Sequence, residues 1–171
     1  MLWREGWYSR LMPASEALVV GGAGATKRVL RLDLSRDDVI DAFLEADLFV
    51  FASKVEYSPL VLFEAAAAGT PFLTVPAGNA AEIVLWTGGG ILCPADVDEK
   101  GYVRVSPDAL ASEMERAMDS PALLRQLGAA GQKAWRERFT WAHIAKSYEQ
   151  VLLGQKVLSP HIPQTDAATA D

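Results

Sequence analysis

The chain has 171 residues, half of them hydrophobic, which is enough for one domain with a substantial core. Its net charge of −6 argues against a broad nucleic-acid interface, which needs clustered lysine and arginine, but a helix N-terminus can still bind phosphate. The single cysteine excludes an internal disulfide, no secretory signal opens the sequence, and Glu64, Gly69 and Pro71 interrupt the longest apolar stretch. We therefore expect a soluble cytoplasmic protein without a transmembrane segment.

Apolar runs and helix signals alternate along the first part of the chain. Residues 17–20 and 28–34 are predicted strands. Ser35 is expected to cap a helix over residues 36–46, whose first turn carries acidic residues that favour the helix dipole. Residues 47–53 form a continuous apolar run typical of a strand that is buried on both faces.

The next segment reads as a helix followed by a strand. Ser58 is a favourable N-cap and Pro59 a favourable first helical residue, so the apolar sequence that follows is predicted to be helical. Gly69 is typical of a residue that ends a helix, and Pro71 prevents its continuation. Residues 71–75 are then a second apolar strand.

Helical patterns dominate the remainder. Asn79 and Glu82 have the spacing of a capping box and predict a short helix, after which residues 88–94 return as a strand. The sequence is predicted to be helical from Pro107 to about residue 154, and the apolar-poor end of the chain to be disordered.

Strands that alternate with helices predict an α/β fold. We expect a Rossmann-like, doubly wound parallel sheet over about residues 17–95, with C-terminal helices packed against it. The expected organisation is a poorly defined segment over residues 1–16, one domain over residues 17–154 and a disordered tail over residues 155–171.

A ligand site is expected where the strand over residues 47–53 ends, because doubly wound sheets bind ligands beyond the carboxyl ends of their strands. The helix that follows offers unpaired N–H groups to a phosphate. Glu64 lies in that helix, and helical side chains point back toward the N-terminus, so its carboxylate could accept hydrogen bonds from a sugar diol. The alternatives are a buried structural role for Glu64 and a solvated one for Glu56.

Residues 46–73, ADLFVFASKVEYSPLVLFEAAAAGTPFL, resemble the donor-site signature of the retaining glycosyltransferases of family 4, the group 1 transferases with a GT-B fold. That signature has two glutamates separated by seven residues, and Glu56 and Glu64 match this spacing. The resemblance covers roughly residues 35–153 and implies that the chain is one half of a GT-B fold, a Rossmann-like domain that binds a nucleotide-sugar.

The resemblance also implies roles for individual residues. Glu64 matches the glutamate that binds the ribose of the nucleotide, and Glu56 matches the catalytic glutamate that contacts the donor sugar near its reacting carbon. The backbone amides around Ser58, Leu60 and Val61 match the segment that cradles the diphosphate. No metal or other cofactor is expected if these amides neutralise the diphosphate.

Two further positions match a loop near the donor, namely Gly78 and Asn79, although from the residues alone we favour Asn79 as an N-cap. The sequence departs from the family where glycines commonly follow the first glutamate. Tyr57 stands there instead, and Pro59 lacks an N–H to offer to phosphate.

The family's acceptor domain has no counterpart in this sequence, which implies a donor-binding fragment that is inactive alone. The alternative is a non-catalytic or split-enzyme subunit that needs an acceptor-domain partner. Exposed apolar surface at the former interface is expected to promote self-association. Residues 21–25, GGAGA, are a weaker candidate phosphate loop, because they lack the full dinucleotide-binding spacing.

Overall fold

The computed structural model describes residues 32–155 in full and residues 17–20 and 27–30 as backbone. The chain divides into two compact units, Met1–Asp47 and Leu48–Asp171. The expectations for residues 1–16, for the loop over residues 21–25 and for the tail beyond residue 155 fall outside the described residues.

The described residues of the first unit form two strands and one helix. Strand β1 (Ala17–Val20) pairs antiparallel with strand β2 (Lys27–Leu30). This pairing corrects the prediction that residues 17–95 contribute to one mostly parallel sheet. The connection between these strands is too short for the crossover that parallel strands require. Helix α1 (Arg36–Glu45) begins as predicted, because the Oγ atom of Ser35 accepts a hydrogen bond from the N–H of Asp38 at 3.2 Å.

The second unit is an α/β fold with a parallel sheet. Its strands are β3 (Phe49–Phe51), β4 (Phe72–Thr74) and β5 (Gly90–Leu92), hydrogen-bonded in that order and in one direction. Helices α2 (Leu60–Ala68) and α3 (Ala80–Thr87) connect them.

Burial varies across this sheet. All three residues of β4 are buried, whereas those of β3 are only partly buried. The prediction of a strand buried on both faces over residues 47–53 was therefore wrong for β3, which pairs only with β4 among the strands that the structure describes.

The predicted C-terminal helices are confirmed. They are α4 (Pro107–Met118), α5 (Pro121–Ala134), a π-helical turn (Trp135–Phe139) and α6 (Trp141–Leu152). Before them lies a short antiparallel hairpin that the sequence did not predict, formed by β6 (Asp96–Val97) and β7 (Val103–Arg104).

One hydrophobic core lies under the sheet of the second unit. Its members include Leu73 of β4, Val75 directly after β4, Cys93 directly after β5, and Ala117 of α4. A second packing centre is aromatic, where the ring of Phe63 on α2 lies 4.9 Å from the ring of Phe139. Together these contacts fix α2 between the sheet and the C-terminal helices.

Candidate functional site

Two loops meet beyond the carboxyl ends of β3 and β4. The N–H of Asn79 donates a hydrogen bond to the carbonyl oxygen of Tyr57 at 3.1 Å. Gly78 packs so closely that a Cβ atom there would lie 2.5 Å from the carbonyl oxygens of both Glu56 and Tyr57. The structure thus brings Gly78 and Asn79 into contact with the loop that carries Glu56, as expected for neighbouring parallel strands.

The Glu56 loop is also held from its other side. The N–H of Val103 in β7 donates to the carbonyl oxygen of Lys54 at 2.9 Å, and the Ser53 hydroxyl donates to the carbonyl oxygen of Val55 at 3.1 Å. Glu56 is half-buried, whereas the neighbouring Tyr57 side chain is 94% exposed. The backbone around Glu56 is therefore fixed on two sides while one face remains open to solvent.

Helix α2 begins one residue later than predicted. Pro59 occupies the N-cap position in an extended conformation, with φ −71° and ψ 93°, and Leu60 is the first helical residue. Ser58 is exposed and lies before the cap, so the prediction that it caps the helix was wrong. No side chain caps α2, so its first amides, including those of Leu60 and Val61, have no side-chain acceptor at this end.

Glu64 lies on the face of α2 that leads to this N-terminus. It follows Leu60 by four residues and Val61 by three, and residues at these spacings share one face of a helix. The core-facing residues of α2 are Leu62, Ala65 and Ala66, and Glu64 is only half-buried. In any α-helix the Cα–Cβ bonds tilt toward the N-terminus, so the Cα–Cβ bond of Glu64 is inclined toward the start of α2.

Asn79 occupies the predicted N-cap position of α3, but its side chain does not cap the helix. That side chain makes no capping hydrogen bond, and its Oδ1 atom is buried without a partner among the described residues. The capping box with Glu82 does not form either, because the N–H that Glu82 would accept donates to Tyr57 instead.

Sequence reasoning missed two residues that support this site. The hydroxyl of the buried Thr74 donates to the carbonyl oxygen of Phe51 at 3.0 Å and so joins the ends of β3 and β4. Val103 supports the Glu56 loop from β7, which is too short to show a strand pattern. Thr74 gave a weak signal, as the one polar residue inside an apolar run.

The described residues set limits on two other kinds of site. Across residues 32–155, no three His, Cys, Asp or Glu side chains lie close enough together to hold a metal ion. None of the helices in the described part of the chain is both long and apolar enough to span a bilayer. The expectation that no metal is required stays a prediction.

The arrangement combines two kinds of hydrogen-bonding group. The uncapped amides of α2 can donate to an anion, and the positive end of the helix dipole favours negative charge there. Glu56 precedes α2 and Glu64 lies at its middle, and the carboxylates of both can accept hydrogen bonds from hydroxyl groups. A ligand that carries both phosphate and hydroxyl groups matches this combination.

The sequence of the chain is similar to those of several known proteins. Over 152 residues the chain is 30% identical to the glycogen synthase of Mycobacterium tuberculosis, covering 86% of this chain and 34% of that protein. It is 32% identical over 114 residues to the MMP alpha-(1->4)-mannosyltransferase of Mycolicibacterium hassiacum, covering 66% of this chain and 25% of that protein.

A solved structure supports the same relationship. Sucrose-phosphate synthase from Thermosynechococcus elongatus, a GT-B glycosyltransferase, superposes with a TM-score of 0.55 at 25% identity, covering 74% of this chain and 30% of that one. The chain therefore spans between a quarter and about a third of the length of these relatives. The family described as glycosyl transferases group 1 matches residues 28–134, and the chain belongs to that family.

Proposed function

We propose that this chain is the C-terminal, donor-binding half of a retaining family 4 glycosyltransferase, and that it binds a nucleotide-diphosphate sugar. The observation that carries the proposal is the placement of Glu56 and Glu64 on either side of the uncapped start of α2. A nucleotide-sugar presents a diphosphate between two polyols, the ribose and the donor sugar. The amides of α2 suit the diphosphate, and the two carboxylates suit the two polyols.

In this proposal Glu64 accepts hydrogen bonds from the ribose hydroxyls. It lies further along α2 than the amides of Leu60 and Val61, on the same face. Those amides, with the exposed segment at Ser58, receive the diphosphate. Negative charge grows on the leaving diphosphate as its bond to the sugar breaks, and fixed amide dipoles stabilise such charge without reorganising.

Glu56 is proposed to contact the donor sugar near its reacting carbon. Its backbone is held by the contacts of Lys54 with Val103 and of Tyr57 with Asn79, so its carboxylate starts from a fixed position. Such fixed placement of reacting groups is a main source of catalytic rate. Gly78 and Asn79 belong to the same site through their contacts with this loop.

The acceptor domain is proposed to be supplied by further sequence or by a partner chain, because this chain spans only 34% of the glycogen synthase that it matches. The protein would then work in the cytoplasm, where nucleotide-sugars are made.

The chain is also proposed to associate with itself when no acceptor domain is present. Trp141 and Leu152 on α6 are 82% and 85% exposed, and apolar side chains exposed in this way favour association that light scattering would detect.

Calorimetry on the purified chain tests the proposal. UDP-glucose, ADP-glucose and GDP-mannose are titrated into the parent, Glu64→Ala, Glu64→Gln and, as a matched control on an exposed helix surface, Glu115→Ala. A hydrogen bond to a charged group contributes about 1.5–3 kcal/mol, so Glu64→Ala is expected to weaken binding roughly tenfold to a hundredfold. Glu64→Gln is expected to lose less, and Glu115→Ala nothing.

Two results would contradict the proposal. One is a parent chain that binds none of the three nucleotide-sugars. The other is a Glu64→Ala variant that binds as tightly as the parent but unfolds several degrees lower, which would make Glu64 a structural carboxylate. A thermal shift gives a parallel measure, since a ligand at a hundred times its dissociation constant adds about 2.7 kcal/mol of stability.

A further inference from the structure

We propose that Gly78 and Asn79 are positioning residues that set the place of Glu56 through its backbone, rather than residues that bind the donor with their own side chains. This inference rests on the proposed function, in which Glu56 contacts the donor sugar. In this inference the turn that follows β4 holds the Glu56 loop, which follows β3.

The first step is the close approach at Gly78. A Cβ atom on this residue would lie 2.5 Å from the carbonyl oxygens of Glu56 and Tyr57, whereas real Cβ atoms essentially never come within 3.0 Å of an atom outside their own residue and its chain neighbours. The obstructing atoms belong to the backbone, so no rotamer change can relieve the clash. Any side chain at this position must therefore push the Glu56 loop away from the end of β4.

The second step is the hydrogen bond from Asn79. Its N–H donates to the carbonyl oxygen of Tyr57 at 3.1 Å, directly beside the Gly78 contact. The Asn79 side chain contributes nothing visible to this link, because its Oδ1 atom is buried without a partner among the described residues. The backbone N–H of Asn79, rather than its side-chain carboxamide, makes the connection.

The third step separates this contact from the ordinary needs of a turn. Gly78 has φ +57°, a left-handed conformation that glycine adopts freely. Gly88 and Gly101 have similar values of +61° and +81°, yet a Cβ on Gly88 would meet only Ala130 at 3.7 Å and one on Gly101 would meet nothing within 4 Å. All three pay the same kind of conformational cost on substitution, but only Gly78 lies against the Glu56 loop.

These three glycines supply a matched experiment. Gly78→Ala, Gly88→Ala and Gly101→Ala are compared with the parent by two measurements. The first follows the backbone amide resonances of residues 54–58 in the labelled chain. The second is calorimetric affinity for UDP-glucose, ADP-glucose and GDP-mannose, each alongside its nucleoside diphosphate.

Gly78→Ala is expected to shift the amide resonances of residues 54–58, and the two control variants are expected to leave them in place. It is also expected to lower affinity for the nucleotide-sugar that the parent binds by about tenfold, and affinity for the matching nucleoside diphosphate by less than about twofold. A purely structural defect would weaken both ligands equally, so the difference between them is the decisive reading.

A second pair of variants breaks the same contact without adding a Cβ at residue 78. Asn79→Pro removes the N–H that reaches Tyr57, and the φ of −93° at Asn79 lies near the range that proline accepts. It is expected to reproduce the selective loss of nucleotide-sugar affinity, and Asn79→Ala, which keeps the N–H, is expected to lose less. This pair also decides the matter if Gly78→Ala does not fold.

Several outcomes would overturn the inference. Unchanged resonances of residues 54–58 in Gly78→Ala would show that the turn does not hold the loop. Equal losses for nucleotide-sugar and nucleoside diphosphate would show that Glu56 is not its target, and an Asn79→Ala loss as large as that of Asn79→Pro would return the role to the side chain. If the parent binds no nucleotide-sugar, the proposed function fails and the Glu56 assignment with it, whereas the resonances alone still judge the loop contact.

Discussion

Gly128 of α5 packs directly against the carbonyl oxygen of Gly69, the residue that ends α2. A Cβ at residue 128 would overlap that oxygen, and Gly69 itself has φ +78°, a conformation that favours glycine. The Nε2 atom of Gln132, one turn further along α5, donates to the carbonyl oxygen of Ala67 at 3.4 Å. The C-terminal end of the helix that carries Glu64 is therefore fixed by α5.

Gly128→Ala is expected to destabilise the chain, although alanine favours a helix over glycine by about 1 kcal/mol. The overlap with the Gly69 backbone outweighs this gain, because overpacking a close contact costs about 1–3 kcal/mol. Urea unfolding measures the change. Ala129→Gly, at an exposed position one residue along α5, gives the helix-propensity term alone, and a Gly128→Ala variant more stable than the parent would show that the contact is not restrictive.

Glu56→Ala is expected to separate the two halves of the donor. In the proposed site its carboxylate contacts the sugar and not the nucleotide, so affinity for a nucleotide-sugar falls about tenfold while affinity for the nucleoside diphosphate stays within about twofold. Calorimetry with both ligands measures the difference. Asp96→Ala, an exposed acidic residue of β6, is the control for the loss of one negative charge. Equal losses with the two ligands would contradict the assigned role.

The chain alone is not expected to transfer sugar to an acceptor. It spans 34% of the glycogen synthase that it matches and 30% of the solved sucrose-phosphate synthase, and in the proposed function the acceptor domain is supplied by further sequence or by a partner chain. Release of nucleoside diphosphate is measured with and without a panel of sugar acceptors. Acceptor-dependent turnover by the purified chain would refute this expectation, whereas slow hydrolysis of the donor is compatible with a donor site open to water.

Cys93 is expected to make stability fall at alkaline pH. Burial raises the pKa of its thiol, and the negative charge of Glu113 raises it further, so the folded state favours the protonated form. This contribution is fully present below the unfolded pKa of about 8.5 and is lost as pH rises through the higher folded pKa.

Urea unfolding between pH 7 and pH 10 measures that loss in the parent and in Cys93→Ala. The variant has a lower stability at neutral pH, because a buried side chain is shortened, but its stability is expected to decline less above pH 8.5. Parallel curves for the two proteins would show that the thiol does not titrate differently in the folded state.

The sequence by itself determined the order of the elements from β3 to β5, and it singled out the two glutamates on which the proposed site rests. Apolar runs predicted β3, β4 and β5, and Gly69, which adopts the left-handed conformation, marked the end of α2. These features follow from local chemistry, because strand and helix periods and helix-ending residues act within a few positions of the chain.

Only the tertiary structure decided what the loops do. Asn79 carries the sequence signal of an N-cap, yet its N–H bonds to Tyr57, and the start of α2 moves from Pro59 to Leu60. Gly78 packs against the carbonyl oxygens of Glu56 and Tyr57, which belong to the loop that follows β3. No local pattern encodes such contacts, because they exist only once β3 and β4 pair in parallel and bring their carboxyl ends together.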